Sequence, residues 1–314
     1  MIDLLQVSPL PPFLVERLEK EYVLHDFLNP SDPDAVLERV GPKIRGILAG
    51  GMAGPNANLI NALPNLEIIA SFSVGYDATD VAAAQARGVT VTHTPEVLTG
   101  DVADLAMTLI LMTARRIGES ERFLRAGKWL QGRMDLGTTV RGKRLGILGL
   151  GRIGKAVARR AEVFGLHIQY HDIKPLGDLP YRSYPSLLEL AAASDILLVT
   201  CEGGEANRGI VNAEVLEALG PEGFVINTAR GPIIDEPAMV KALREGKIAG
   251  AGLDVFEREP HVPAELMAME NVVLTPHIAS STQETRRAMG DLVYDNLKAH
   301  FSGKPVLTPV PAQS

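Results

Sequence analysis

The stretch Leu145-Gly-Ile-Leu-Gly-Leu-Gly-Arg-Ile-Gly154 constrains the fold of this chain more than any other. An apolar run, Leu145 to Leu148, has the length of a buried strand. Gly149, Gly151 and Gly154 follow it at G-x-G-x-x-G spacing, and then Ile153, Ala156, Val157, Ala161 and Phe164 recur at helical intervals. A strand that turns into a helix over three glycines is the context that gives this motif meaning. Gly149 permits a tight turn, Gly151 lets a pyrophosphate approach the backbone, and Gly154 lets the helix pack close to the strand. The helix start directs free N–H groups and the positive end of its dipole at the phosphates. Asp172 lies 18 residues beyond Gly154, after the run His167 to Tyr170, where a carboxylate can accept hydrogen bonds from a ribose diol. The stretch therefore predicts a dinucleotide site, with Arg152 and Ile153 inside its loop.

Alternation of short apolar runs with helical patterns continues on both sides. Before the motif, strands are expected at 4–7, 44–48, 66–70 and 90–92, with helices starting near Pro12, Pro33, Asn56 and Thr79. Two turns at strand ends are glycine-bearing, Leu48 to Gly54 and Ser71 to Asp77; on local grounds alone each reads as simple turn chemistry. A helix over 101–116 is apolar almost all round, with Asp101 at its start, and is expected to lie between domains or between subunits. A polar connector, Gly118 to Lys143, carries the single tryptophan, Trp129. From Arg144 the spacing predicts strands at 144–149, 167–171, 195–201, 223–228, 249–253 and 272–275, enough for a doubly wound parallel sheet. An amphipathic helix over 282–301 and a proline-rich tail complete the pattern.

With 314 residues the chain has room for two domains, and 46% apolar with 22% charged residues is the balance of a globular protein. A net charge of −7 argues against nucleic acid as partner. The start, Met1-Ile-Asp-Leu-Leu-Gln, has no basic region, and the most apolar later stretch, Ala103 to Ala114, is too short to span a bilayer, so no membrane partner is expected. One cysteine, Cys201, excludes an intrachain disulfide and fits a cytoplasmic protein. No H-E-x-x-H motif and no thiolate set points to a metal.

Ligands of open α/β sheets bind beyond the carboxyl ends of the strands. Polar residues project there in succession: Thr228-Ala229-Arg230-Gly231, then Asp254 with Glu257-Arg258-Glu259-Pro260, then Pro276-His277. A guanidinium grips a carboxylate at two points, and a histidine passes a proton near neutral pH. A neighbouring carboxylate favours the charged imidazole. Singly, Arg230 reads as a surface ion-pair partner, Glu259 as a loop acid and His277 as a structural histidine; jointly, beside a dinucleotide site, they read as catalytic. Cys201 ends a strand on the same edge and reads as a small lining residue rather than a reactive thiol.

Gly149-Leu-Gly-Arg-Ile-Gly154, Asn227-Thr-Ala-Arg-Gly231, Gly252-Leu-Asp-Val-Phe-Glu-Arg-Glu-Pro260 and Leu274-Thr-Pro-His277 resemble the signatures of the D-isomer-specific 2-hydroxyacid dehydrogenases. Val97-Leu-Thr-Gly-Asp-Val-Ala-Asp104 and Ser73-Val-Gly-Tyr-Asp77 match as well. Within that family the chain is most similar to hydroxyphenylpyruvate, glyoxylate and hydroxypyruvate reductases. The resemblance implies a Rossmann cofactor domain at 100–282 and a discontinuous, flavodoxin-like α/β substrate domain at 1–99 and 283–314. It implies Arg230, Glu259 and His277 as catalytic residues in a cleft. Cofactor contacts are implied for Thr99, Gly149, Gly151, Arg152, Ile153, Gly154, Asp172, Cys201, Thr228, Ala229 and Asp254, the last holding the nicotinamide carboxamide. Gly50, Gly51, Met52, Val74 and Gly75 would bind substrate, which replaces the local reading of both turns. The family is usually homodimeric through its cofactor domains.

The implied reaction is reduction of a 2-oxo acid to the D-2-hydroxy acid. The residues Met52, Tyr76, Trp129 and Met134 fit acids from glyoxylate to an aryl pyruvate. Asp172 would repel a 2′-phosphate and favours NAD(H), while Lys174 and Arg182 lie close enough in sequence to accommodate NADP(H). Glu202 stands where the family often has proline. A phosphite-type dehydrogenase on the same fold, and a non-catalytic NAD(H)-sensing protein, are the alternative readings.

Overall fold

The computed structural model describes residues 1–314 except 52, 175, 178 and 312–314. The chain divides into two compact units, Met1–Leu98 with Thr282–Ser314, and Thr99–Ser281.

The second unit is built on a parallel sheet of seven strands. They are β6 (Arg144–Leu148), β7 (His167–His171), β8 (Arg182–Ser183), β9 (Ile196–Val199), β10 (Phe224–Asn227), β11 (Gly250–Leu253) and β12 (Val272–Leu274), in the order β12-β11-β10-β9-β6-β7-β8. The inner strands β6, β9 and β10 are near-continuous apolar runs because both faces are covered. Alternate residues go to opposite sides: Leu145, Ile147, Ile196, Leu198, Phe224 and Ile226 join one buried cluster, and Leu148, Leu197, Val199, Val225, Ala251 and Leu253 join the other. Helices α5 (Thr99–Ala114) and α7 (Arg152–Val163) cover the first face. Helices α8 (Leu187–Ala192), α9 (Ala213–Leu219) and α10 (Glu236–Arg244) belong to the other. This is the doubly wound α/β architecture expected from the alternation.

Helix α5 is buried by its own unit. It packs on α7 and on β10, β11 and β12, and Gly252 makes the approach possible: a Cβ there would lie 3.1 Å from Leu109 Cβ and 2.8 Å from Thr113 Oγ1. Part of the expected connector is helical, as α6 (Ile117–Arg125). That helix buries none of its residues, and i,i+3 and i,i+4 ion pairs, Arg116–Glu119 and Arg125–Glu121, line it.

The first unit carries a parallel sheet of five strands in the order β2-β1-β3-β4-β5, the flavodoxin-like order. The strands are β1 (Ile2–Gln6), β2 (Tyr22–Asp26), β3 (Ile44–Gly50), β4 (Ile68–Phe72) and β5 (Thr90–Thr92). Helices α1 (Pro12–Leu18), α2 (Pro33–Val40), α3 (Ala57–Asn61) and α4 (Val81–Ala86) connect them, and α11 (Gln283–Phe301) returns to pack on β4 and α1. Arg17–Asp291 and Glu21–Tyr294 tie the chain's start to that last helix. No described helix is long and apolar enough to cross a membrane.

Leu198 is fully buried at the centre of the seven-stranded sheet. Leu198→Ala should lower stability by about 2–5 kcal/mol, the range for emptying such a site. Urea unfolding followed by circular dichroism measures this; an unchanged midpoint would mean the site collapses without loss.

Candidate active site

In the second sheet the chain passes outward from β6 through β7 to β8, then returns to β9 on the other side of β6. The crevice between β6 and β9 is the switch point where such sheets bind nucleotides. The glycine turn closes over it. Gly149 has φ +88, and a Cβ would lie 2.6 Å from Cys201 Cα and 2.7 Å from Cys201 N. Thr200 Oγ1 donates to the Gly149 carbonyl at 2.7 Å, securing the turn from β9. A Cβ on Gly154 would meet the same carbonyl at 2.5 Å, so only glycine brings α7 this close. Around Gly151, by contrast, an added Cβ would meet nothing within 4 Å among the described residues. Gly151 is the N-cap of α7, where the first-turn amides have no partner within the helix.

Other residues of the pocket edge fit a dinucleotide as well. Asp172 follows β7 and is fastened to the loop: Leu150 N–H donates to Oδ2 at 2.9 Å and Lys174 N–H to Oδ1 at 3.0 Å. Thr228, just past β10, buries a hydroxyl that has no hydrogen-bond partner among the described residues, a group that a bound nucleotide can satisfy. Burial pushes the Cys201 thiol up to about 12, so it remains a neutral lining group. Arg152 is exposed and Ile153 half-buried in the first turn of α7, while Thr99 opens α5 and is half-buried. Arg182 lies over the Tyr184 ring at 4.8 Å, and Glu202 is exposed.

The three polar groups of the successive strand ends come together. His277 Nδ1 lies 2.6 Å from Glu259 Oε2, and Phe256 N–H donates to Glu259 Oε1 at 3.0 Å. Burial works to raise the Glu259 pKa, yet the hydrogen bond and charge of His277, the Phe256 amide and the charge of Arg230 together hold it below the usual glutamate value. Arg230 follows β10 by three residues, with Nη1 donating to the Ala229 carbonyl at 2.8 Å. Asn227 braces that corner, accepting from Ala229 N–H at 3.0 Å and donating to the Arg230 carbonyl at 2.9 Å.

His277 sits at φ +53, a backbone region that non-glycine residues avoid and that costs on the order of 1–3 kcal/mol. Asp254 holds it there. The His277 N–H donates to the Asp254 carbonyl at 2.9 Å, and the Asp254 carboxylate accepts from Thr275 Oγ1 (2.6 Å), Ile278 N–H (2.8 Å) and Ala279 N–H (2.9 Å). Asp254 is fully buried, and burial pushes its pKa above the usual aspartate value although these donors and the charge of His277 pull the other way. One acceptor position on Oδ2 is not used by these bonds.

In the first unit, Gly50 ends β3 at the switch point against β1, where a Cβ would lie 3.1 Å from Ser8 Cβ. Gly51 is equally confined, its Cβ position 2.5 Å from Ser73 Oγ. The Val74–Gly75 turn after β4 is held by His93, whose Nδ1 lies 2.9 Å from the Val74 carbonyl and whose ring meets Tyr76 edge-on. Met52 lies outside the described residues.

Two hydroxyls and one carboxylate at this edge escaped the sequence reading. Thr200 and Thr275 stood in plain view beside their motifs, but nothing in the sequence said which carbonyl or carboxylate each would hold. Glu236 gave no signal at all; its carboxylate accepts from Glu257 N–H at 3.1 Å.

A doubly wound nucleotide-type unit with an acid-supported histidine and an arginine at its strand ends defines the class: a dinucleotide-dependent oxidoreductase. Residues 107–279 match the model of the D-isomer specific 2-hydroxyacid dehydrogenase NAD-binding domain. Over 311 residues the chain is 50% identical to glyoxylate/hydroxypyruvate reductase A of Arabidopsis thaliana, covering 98% of this chain and 99% of the relative. It is 50% identical over 309 residues to hydroxyphenylpyruvate reductase of Plectranthus scutellarioides, again covering 98% and 99%. The solved NADPH-dependent glyoxylate/hydroxypyruvate reductase of Sinorhizobium meliloti, in complex with NADP and malonate, superposes with a TM-score of 0.93 at 45% identity, covering 98% of this chain and 96% of that one. The chain belongs to the D-isomer-specific 2-hydroxyacid dehydrogenase family and is an NAD(P)-dependent oxidoreductase.

Because the Glu259 pKa is lowered on folding, its contribution to stability is present above the unfolded value and is lost as pH falls through the folded one. Glu259→Gln should therefore lower the melting temperature at pH 6, and the gap to the wild type should close between about pH 5 and pH 3, around the ordinary glutamate value. Thermal unfolding across that range tests it; a gap that ignores pH would contradict the ion pair.

Proposed function

We propose that the protein reduces a small 2-oxo acid to the D-2-hydroxy acid with His277 as the proton donor. The observation that carries this reading is the 2.6 Å contact of His277 with Glu259 beside the Arg230 strand end, in the same unit as the glycine turn. NAD(P)H supplies the hydride when bound. Gly149 to Gly154, Asp172, Thr228 and Ala229 hold it, with Thr99, Cys201 and Asp254 as further contacts. As the carbonyl is reduced, negative charge grows on its oxygen. Arg230 stabilises that charge and grips the substrate carboxylate, and protonated His277 neutralises the oxygen by proton transfer. Glu259 orients the imidazole through its contact with Nδ1. Gly50, Gly51, Met52, Val74 and Gly75 are the proposed substrate contacts of the first unit.

The similarity to glyoxylate/hydroxypyruvate and hydroxyphenylpyruvate reductases points to glyoxylate, hydroxypyruvate or an aryl pyruvate as substrate. Asp172 favours NADH over NADPH, because a carboxylate at the ribose repels a 2′-phosphate. Initial rates with glyoxylate, hydroxypyruvate and 4-hydroxyphenylpyruvate, each with NADH and with NADPH, test the reading. Turnover with one acid and a preference for NADH are expected. NADH binding without turnover of any of the three would replace the enzyme by a nucleotide-sensing protein or a non-carbonyl substrate.

His277→Ala should lower kcat by at least ~100-fold, the scale of general acid catalysis. Arg230→Ala should depress kcat and raise KM together. Near-normal turnover without the histidine would remove it from the mechanism.

A homodimer is part of the proposal. Helix α6 and the following segment leave Leu124, Trp129, Leu130 and Leu136 exposed, at 57%, 69%, 95% and 93%. Such a row of large apolar side chains is the kind of surface that association covers. Light scattering after gel filtration should give twice the chain mass, and Trp129→Glu with Leu130→Glu should give a monomer; a wild-type monomer would end this part of the proposal. The lone, unpaired cysteine supports placement in the cytoplasm, which cell fractionation would test.

A further inference from the structure

The peptide group between Phe256 and Glu257 occupies a singular place. Its carbonyl end rests on Gly231, the residue after Arg230, so closely that a Cβ on that glycine would lie 1.9 Å from both Phe256 C and Phe256 O. Its N–H, which belongs to Glu257, donates to Glu236 Oε2 at 3.1 Å. The amide just before it, Phe256 N–H, donates to Glu259 Oε1 at 3.0 Å, and Glu259 Oε2 is the partner of His277. One peptide thus touches the Arg230 corner on one side and is a single residue removed from the support of His277 on the other.

Glu236 is well made to hold this peptide. It opens α10 directly after Asp235, which caps the helix by accepting from Ala238 N–H at 3.0 Å. Pro237 follows it, and its fixed φ holds the backbone of the first turn in helical form. Phe256 is itself buried, at 5% exposure, and fixes the other end of the peptide. Burial raises the Glu236 pKa above the usual glutamate value, which marks a carboxylate sheltered from water, where a hydrogen bond to an amide is least challenged.

We propose that Glu236 is a positioning residue for the reaction: by holding the Phe256–Glu257 peptide against Gly231 it sets Glu259, and through it His277, at the right distance from Arg230. It touches no reacting atom. The assignment rests on the proposed roles of Arg230, Glu259 and His277.

The test compares Glu236→Ala with Glu236→Gln in the full-length enzyme, using the 2-oxo acid that gives the highest turnover. Glutamine keeps an oxygen that can accept from Glu257 N–H; alanine does not. Glu236→Ala should lower kcat by roughly 10-fold to 100-fold, the range for a small misplacement of catalytic groups, with KM little changed. Glu236→Gln should recover most of the turnover, since its oxygen still accepts from Glu257 N–H. Wild-type turnover in Glu236→Ala, a loss confined to KM, or equal damage in both variants would overturn the proposal. Should the alanine variant not fold, Glu236→Asp, one methylene short of the amide, takes its place with the same expectations. His277→Ala runs alongside: if it retains turnover, the underlying reading fails, whereas if it is inactive and Glu236→Ala is normal, only the role of Glu236 fails.

Discussion

The candidate site depends first on one buried carboxylate. Asp254 directly follows β11 with no exposure to solvent and takes its donors from the turn that follows β12. Those bonds, with the His277 N–H on the Asp254 carbonyl, hold a non-glycine residue at positive φ. An ionised group without donors at this depth would be far more costly than the strain it offsets. The turn therefore closes around Asp254 as one unit, and the imidazole is presented by rigid backbone rather than by a flexible loop.

The same logic of close backbone approach governs the nucleotide side. Gly149 and Gly154 are shaped by what they touch, Cys201 and each other, while Gly151 is shaped by open space. That contrast separates the glycines that hold the protein together from the one that leaves room for a phosphate. Gly231 belongs to the first kind, since it seats the Phe256–Glu257 peptide. The arginine corner, the acid loop and the histidine turn are in this way three neighbouring strand ends that brace one another.

The outlines of both sheets were readable because central parallel strands bury both faces and appear as unbroken apolar runs. The edges were not. β2, Tyr22–Asp26, pairs only with β1 and is largely half-exposed, and β8 has just Arg182 and Ser183, both exposed. β8 has no apolar run and β2 only the short Tyr22-Val23-Leu24, because an edge strand has little to bury. Helix α6 hid for a related reason: it buries nothing within its own chain, so its sequence reads as a polar connector. The helix at 99–114 is apolar almost all round, and Gly252 on β11 lets Leu109 and Thr113 of one of its faces approach the sheet closely.

By itself the sequence determined the parallel α/β architecture, the glycine turn with its acid at Asp172, and the candidacy of Arg230, Glu259 and His277, because each is a local pattern: a run, a spacing, or a polar residue just past a strand. The tertiary structure decided what those residues lean on. That Thr200 secures Gly149, that Asp254 folds the histidine turn about itself, and that Glu236 reaches the Glu257 amide across 21 positions all arise from contacts between segments far apart in the chain. No spacing rule encodes such contacts, since they exist only once the strands are ordered and the helices are packed on them.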